Sequence, residues 1–259
     1  LEHVGVSSTG PDRGLRRFAL ANFWGDIVVA VLHVIPVRAR PGRVERERAR
    51  LAALAPGVDV HVIDLPQGPQ DLEYFVDDHA AVGQMVDVLP GYVRTHGIGA
   101  VSIGCFYDPG LWELREALEV PVVGIGEASL LLAGTVAWRL AVLVGDWKWV
   151  SKMQANARAL GLGHRICAWR SIDRSVQAMQ DDPEEAYRAV RRVAVAARDE
   201  DHAEAVILGC GALSGMAERL QEEVGMPAVD PVAAGVLLAC ALASLGLRTS
   251  KIGGYRPKG

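Results

Sequence analysis

Two cysteines occupy matching points of an internal repeat. Gly104-Cys105-Phe106-Tyr107-Asp108-Pro109-Gly110-Leu111 aligns with Gly209-Cys210-Gly211-Ala212-Leu213-Ser214-Gly215-Met216. The cysteines stand 105 positions apart, and so do Gly110 and Gly215. Each Gly-Cys ends a short apolar run and precedes an amphipathic stretch, so each thiol falls at the carboxyl end of a strand, where parallel α/β sheets bind ligands. Asp108-Pro109 reads as an N-cap and first helical residue, and Ser214 as an N-cap. The N–H groups of a helix start would lower a thiol pKa from about 8.5 toward neutrality. Two such thiols facing one carbon acid can remove a proton from one face and return one to the other. That inverts a stereocentre without a cofactor, and the same N–H groups would hold an enolate oxygen. A lone cysteine at a strand end reads as a small buried hydrophobe; equivalence within a repeat is what argues for chemistry. Cys167, inside a strand-like run, and Cys240, in an apolar helix, read as structural.

The elements that must carry these thiols alternate. Ile27–Ile35, Val58–Asp64 and Ala100–Gly104 read as strands, and Arg43–Leu54 and Asp71–His96 as helices, the second interrupted near Pro90-Gly91. The order then repeats: strands at Leu140–Val144, His164–Trp169 and Ala205–Gly209, helices at Trp147–Leu160 and Pro183–Arg198. After each cysteine come a helix (Leu111–Leu118, Met216–Val224), a strand opening with proline (Pro121, Pro227) and a small-residue helix (Ala128–Trp138, Val232–Leu245). Alternation of this kind predicts an α/β fold of two similar Rossmann-like domains with parallel sheets. We expect a first domain from 27–126 plus 232–259, holding Cys105, and a second from 127–231, holding Cys210. Residues 1–26 read as a poorly ordered extension without a signal-peptide hydrophobic stretch.

Composition narrows the partners. Of 259 residues, 50% are hydrophobic and 22% charged, ordinary globular usage, and the net charge is −4. No global positive field exists to hold nucleic acid or an anionic membrane. The basic run Arg38–Arg50 is interleaved with Glu45 and Glu47 and reads as a solvated helix face. The longest uncharged run, Val232–Leu247, falls short of the roughly 20 residues of a spanning helix. Four cysteines without CxxC, and no HExxH, support neither a disulfide scaffold nor a zinc site; reduced thiols in a cytoplasm are expected. Gly124-Ile125-Gly126-Glu127-Ala128-Ser129 is half of a dinucleotide fingerprint with its last glycine replaced by Ser129, so no nucleotide cofactor is expected. Glu127 reads as a first-turn residue on a helix dipole, Lys148 and Lys152 as solvated surface, and His33 as a satisfied core group.

At the paired Gly-Cys blocks the chain resembles the aspartate/glutamate/hydantoin racemase superfamily, and most of all its hydantoin racemase branch, which includes allantoin racemases. Gly104–Leu111, Pro121–Ala128, Leu208–Gly211 and Pro227–Pro231 carry the likeness, which covers about Ile27–Leu247. Gly68-Pro69 with Leu72-Glu73, and Trp149–Met153, look like further family segments. The resemblance implies two α/β domains in pseudo-two-fold relation, an active site in the cleft between them, no cofactor, and Cys105 and Cys210 as the acid/base pair. It also implies that Pro36, Val37, Phe106, Tyr107, Asp108, Gly211 and Ala212 line the substrate pocket, and that the protein is a homo-oligomer. Some positions depart from the family pattern. Phe106-Tyr107 and Gly211-Ala212 replace the polar residues that help hold an α-carboxylate, Ile35-Pro36-Val37-Arg38 replaces an Asn-Pro-Asn type of loop, and Asp71 stands where a serine is expected. The Phe106-Tyr107 and Gly211-Ala212 pairs point to a cyclic substrate such as a 5-substituted hydantoin or allantoin. The alternatives are racemisation of an acyclic amino acid, maleate cis–trans isomerisation, and a non-catalytic module that binds a small metabolite.

Overall fold

The computed structural model describes residues 29–257; the extension 1–26 and the first two residues of the first expected strand lie outside them. Two four-stranded, all-parallel sheets are built in the same order. The first runs β2-β1-β3-β4, with β1 Ala30–Ile35, β2 Asp59–Asp64, β3 Ala100–Ile103 and β4 Val122–Gly124. The second runs β6-β5-β7-β8, with β5 Leu140–Val144, β6 Ile166–Ser171, β7 Ala205–Leu208 and β8 Ala228–Val229. The central strands are buried along nearly their whole length, which is why they read as unbroken apolar runs.

Helices α1 (Arg43–Leu54), α2 (Phe75–His96), α3 (Leu111–Ala117) and α4 (Ile125–Val136) follow the strands of the first sheet. In the second half come α5 (Val150–Ala159), α6 (Val176–Asp181), α7 (Pro183–Asp199), α8 (Ala217–Val224) and α9 (Pro231–Ser244). The expected break at Pro90 does not occur: α2 continues through it to His96, ending at Gly97 in the left-handed conformation. Proline costs a helix one hydrogen bond and some straightness; here the packing of Ala81, Met85, Leu89 and Val93 on the first core holds the helix together across it. The short helix α6 was not expected at all.

The last helix of each half crosses to the other. Leu130 and Ala133 of α4, which leaves the first sheet, belong to the core of the second. Val232, Ala234, Val236 and Ala239 of α9, which leaves the second sheet, belong to the core of the first. The two helices pack on each other where they cross. Small residues allow the approach: a side chain at Gly235 would meet Ile125 Cγ2 at 2.7 Å and Ser102 Oγ at 2.8 Å. No helix among the described residues is long and apolar enough to cross a membrane.

Asp230 starts α9 and joins it to the second cysteine loop. Its Oδ1 accepts from Ala233 N at 2.9 Å, as an N-cap does, and from Ser214 Oγ at 2.7 Å; its Oδ2 accepts from Gly215 N. Ser214 is therefore not the N-cap of α8, which begins at Ala217; its hydroxyl is spent on Asp230. Asp230→Ala removes a cap and a loop anchor together. It is expected to lower the unfolding free energy by about 1–3 kcal/mol, read from urea denaturation, with Asp230→Asn intermediate.

Candidate active site

Each thiol follows a glycine that could be no other residue. A side chain at Gly104 would meet Val34 O and His33 Nε2, both at 2.8 Å, and one at Gly209 would meet Leu143 O at 2.8 Å. Both glycines donate to those same carbonyls, Gly104 N to Val34 O at 2.8 Å and Gly209 N to Leu143 O at 2.7 Å. Each loop is thus pinned to the strand beside it before the cysteine begins. His33 lies under the first loop, bonded through Nδ1 to Ser102 Oγ at 3.2 Å, and burial lowers its pKa to about 4, so it is a neutral core group.

The two loops meet. Cys105 and Cys210 line one cavity of about 60 Å³. Ile35, Pro36 and Val37 close it from the first strand, and Leu72, Trp149, Met153 and Val176 make apolar walls. Gly211 allows the contact between halves, because a side chain there would come within 3.1 Å of Gly104 O. Of the residues expected in the pocket, Pro36, Val37, Phe106, Tyr107, Gly211 and Ala212 line it together with both cysteines. Phe106 and Tyr107 also pack into the core of the opposite half, and Asn156 Nδ2 donates to Tyr107 O at 3.0 Å. Tyr107 Oη and Trp149 Nε1 are buried without a partner in the protein.

Asp108 is the exception. It does not line the cavity, nor does it cap α3, whose N-cap is Gly110 in the left-handed conformation. Asp108 itself has φ 50°, a conformation aspartate tolerates better than most residues. This turns its carboxylate onto the start of α4, where Oδ1 accepts from Gly126 N and Oδ2 from Glu127 N, each at 2.8 Å. Burial pushes its pKa up to about 7, against the two N–H donors that favour the charged form. The Gly124-Ile-Gly126 pattern is explained here: a side chain at Gly124 would fall on the Asp108 carboxyl, and one at Gly126 within 2.6 Å of Phe106 O. The glycines admit a loop, not a dinucleotide.

The thiols are not poised as thiolates. The Tyr107 N–H favours the charged form of Cys105, and Ala212 N donates to Cys210 Sγ at 3.4 Å. Burial outweighs both. It pushes Cys105 up to about 12 and Cys210 up to about 11. The expected lowering toward neutrality fails because short turns precede the helices, leaving one N–H for each sulfur against the larger cost of burial. Cys167 and Cys240 are free and half-buried, outside this cavity.

Sequence reasoning missed two residues. Arg43, taken for part of a solvated face, lines the cavity. Lys152, also read as surface, is half-buried, ion-paired with Asp78 and 5.0 Å from the centre of the Tyr107 ring. Glu127 stands in the first turn of α4 as expected and pairs with Arg115 at 2.6 Å. Lys148 is exposed, 4.8 Å above the ring of Tyr74. Among the described residues no group of three or more His, Cys, Asp or Glu is placed to hold a metal.

Two predictions follow from burial. The thiolate fraction of a group with a raised pKa climbs tenfold per pH unit below that pKa. Any rate that needs the free thiolate, such as iodoacetamide labelling of Cys105 and Cys210, should therefore still be rising at pH 9–10. A plateau near pH 7 would contradict the burial argument. Gly124→Ala should expel Asp108 from its seat. An expected loss of about 2–4 kcal/mol in urea unfolding checks it.

The comparisons with known proteins agree with this geometry. The family model described as Asp/Glu/Hydantoin racemase matches residues 45–239. A hydantoin racemase of Pseudomonas sp. (strain NS671) is 31% identical over 211 residues, 81% of this chain and 84% of that protein. A hydantoin racemase of Rhizobium meliloti is 34% identical over 188 residues, 72% of this chain and 77% of that one. Among solved structures, an allantoin racemase from Klebsiella pneumoniae superposes with a TM-score of 0.84 at 29% identity, covering 89% of this chain and 94% of that one. With two matching parallel-sheet units and a cysteine from each at one cavity, the chain belongs to the Asp/Glu/hydantoin racemase family and is an enzyme of the racemase type.

Proposed function

We propose that the protein racemises 5-substituted hydantoins or allantoin, with Cys105 and Cys210 as the two bases. The observation that carries this reading is the pair of half-buried thiols, one from each sheet, lining one small apolar cavity. One cysteine, as thiolate, takes the proton from the ring stereocentre, and its S–H bond forms as the C–H bond breaks. The electron pair moves into the ring carbonyl as an enolate. The second cysteine, as thiol, delivers its proton to the opposite face and is left as the thiolate. The reverse direction exchanges the two roles, which suits a near-symmetric site. A thiol of raised pKa is the stronger base once ionised, and a carbon acid requires one.

Substrate class rests on the walls. A ring held by Leu72, Phe106, Trp149, Met153 and Val176 needs little polar contact. Two reduced thiols are required, so we place the enzyme in the cytoplasm. The family resemblance leads us to propose a homo-oligomer as well, which light scattering on the purified protein would test.

Polarimetry of single enantiomers is the direct measurement. Benzyl- and isopropylhydantoin, allantoin, and aspartate or glutamate would each be followed under reducing conditions. Decay of a ring substrate's rotation to zero, with no change in mass, is the expected result; activity confined to the acyclic amino acids would sink the ring assignment. Cys105→Ser and Cys210→Ser should each lower racemisation by at least about 10³-fold. Each should still exchange the stereocentre proton of one enantiomer, and opposite ones, with deuterium from solvent. Full racemisation by both single variants would refute the two-base scheme.

A further inference from the structure

The cavity is lined by one cation, Arg43, that forms no ion pair with an acid among the described residues. Arg43 is the first residue of α1, where a positive charge opposes the helix dipole. It is half-buried and, among the described residues, its guanidinium makes no hydrogen bond and no ion pair. Its neighbours on α1 are otherwise engaged: Glu47 is bound by Arg50 at 2.7 Å, and Arg50 also reaches Asp230. A half-buried guanidinium without a partner is costly, so a partner charge belongs to the working state of the site.

The other charged groups around the thiols do not supply it. Lys152, on α5 at the Cys105 side, is already paired with Asp78. The Asp108 carboxylate is taken up by Gly126 N and Glu127 N, and Glu73 accepts from Val176 N at 2.6 Å. Asp71 lines the cavity but forms no ion pair with Arg43. Tyr107 is held neutral by burial. What remains is the sulfur itself. The charge of Arg43 favours the thiolate of Cys210, offsetting part of the burial cost there.

We propose that Arg43 is the resident counter-charge of the thiol pair. It attends the negative charge that forms when one of the two thiols ionises, as that charge passes to the ring and on to the other thiol. The two-thiol mechanism moves one negative charge through three positions and never creates a second, so one fixed cation serves every stage. The step from sulfur to ring rests on the racemase reading above; the pairing of Arg43 with an ionised cavity thiol does not.

The test separates the two. Cys105 and Cys210 are alkylated with iodoacetamide across pH 6–11 in the wild type, Arg43→Gln and Arg43→Lys, and each cysteine peptide is followed by mass spectrometry. In Arg43→Gln alkylation of the cavity thiols should slow by about tenfold at a given pH below their midpoints, as for a pKa raised by about one unit. Arg43→Lys should restore most of the change. Racemisation kcat should fall about tenfold in Arg43→Gln, with KM changed less. Unchanged alkylation rates together with a raised KM would overturn the proposal, since Arg43 would then only bind substrate. The wild type alone gives a second reading, free of folding effects. Anionic iodoacetate should outpace neutral iodoacetamide at the cavity cysteines relative to Cys167 and Cys240, and no such preference would also overturn it. If the alkylation rates fall while no ring substrate is turned over, the counter-charge stands and the hydantoin assignment falls.

Discussion

A carboxylate at the joint between each cysteine loop and the helix beyond it fixes where the thiols sit. The two halves use the same device with its parts reversed. In the first, the loop supplies the acid, and Asp108 accepts both N–H groups that begin α4. In the second, the helix supplies it, and Asp230 caps α9 while gathering Ser214 and Gly215 of the loop. Each arrangement satisfies backbone donors that a helix start would leave unpaired, so the loop and the helix stabilise one another. Remove either acid and the cysteine beside it loses its bearing on the opposite half.

Position having been fixed this way, charge becomes the difficulty. Packing of Phe106, Tyr107 and Trp149 around the loops raises both thiols well above their ordinary range. Low-dielectric surroundings also strengthen every field that reaches the cavity. Two weakly acidic thiols and a guanidinium without an acid partner among the described residues are therefore consistent with one another. On the two-base proposal, burial makes the bases strong and the cation lowers the cost of ionising one.

Most of the fold was legible because its strands are buried on both faces and its repeat keeps an offset of 105 residues between the cysteines. The cavity was legible for the same reason: equivalent strand ends of a repeat come to equivalent places. What escaped was whatever depended on which neighbour a side chain would find. Asp108 has the spacing of an N-cap for the helix that follows it, yet its left-handed backbone turns it to a helix some 17 positions on. Arg43 sits among Arg and Glu residues whose pattern describes a solvated face, and only the approach of the second half makes its end of that helix an inner wall. Pro90 looked like a stop because local propensity says so, and four apolar residues on one side of α2 overrule it. Local chemistry was readable; the partner across the cleft was not.

The crossing of α4 and α9 bears on how such a chain holds together. Each half lends the other the helix that finishes its core. The molecule is in effect a dimer tied end to end whose members have traded arms. Neither half cut out alone could cover its own sheet, so the two cores must gain and lose structure as one cooperative unit. A cavity shared between two lobes could otherwise drift with every hinge motion. Traded arms make the distance between the lobes a property of the cores themselves, and the two sulfurs that line one cavity are kept in register by the same helices that keep the chain folded.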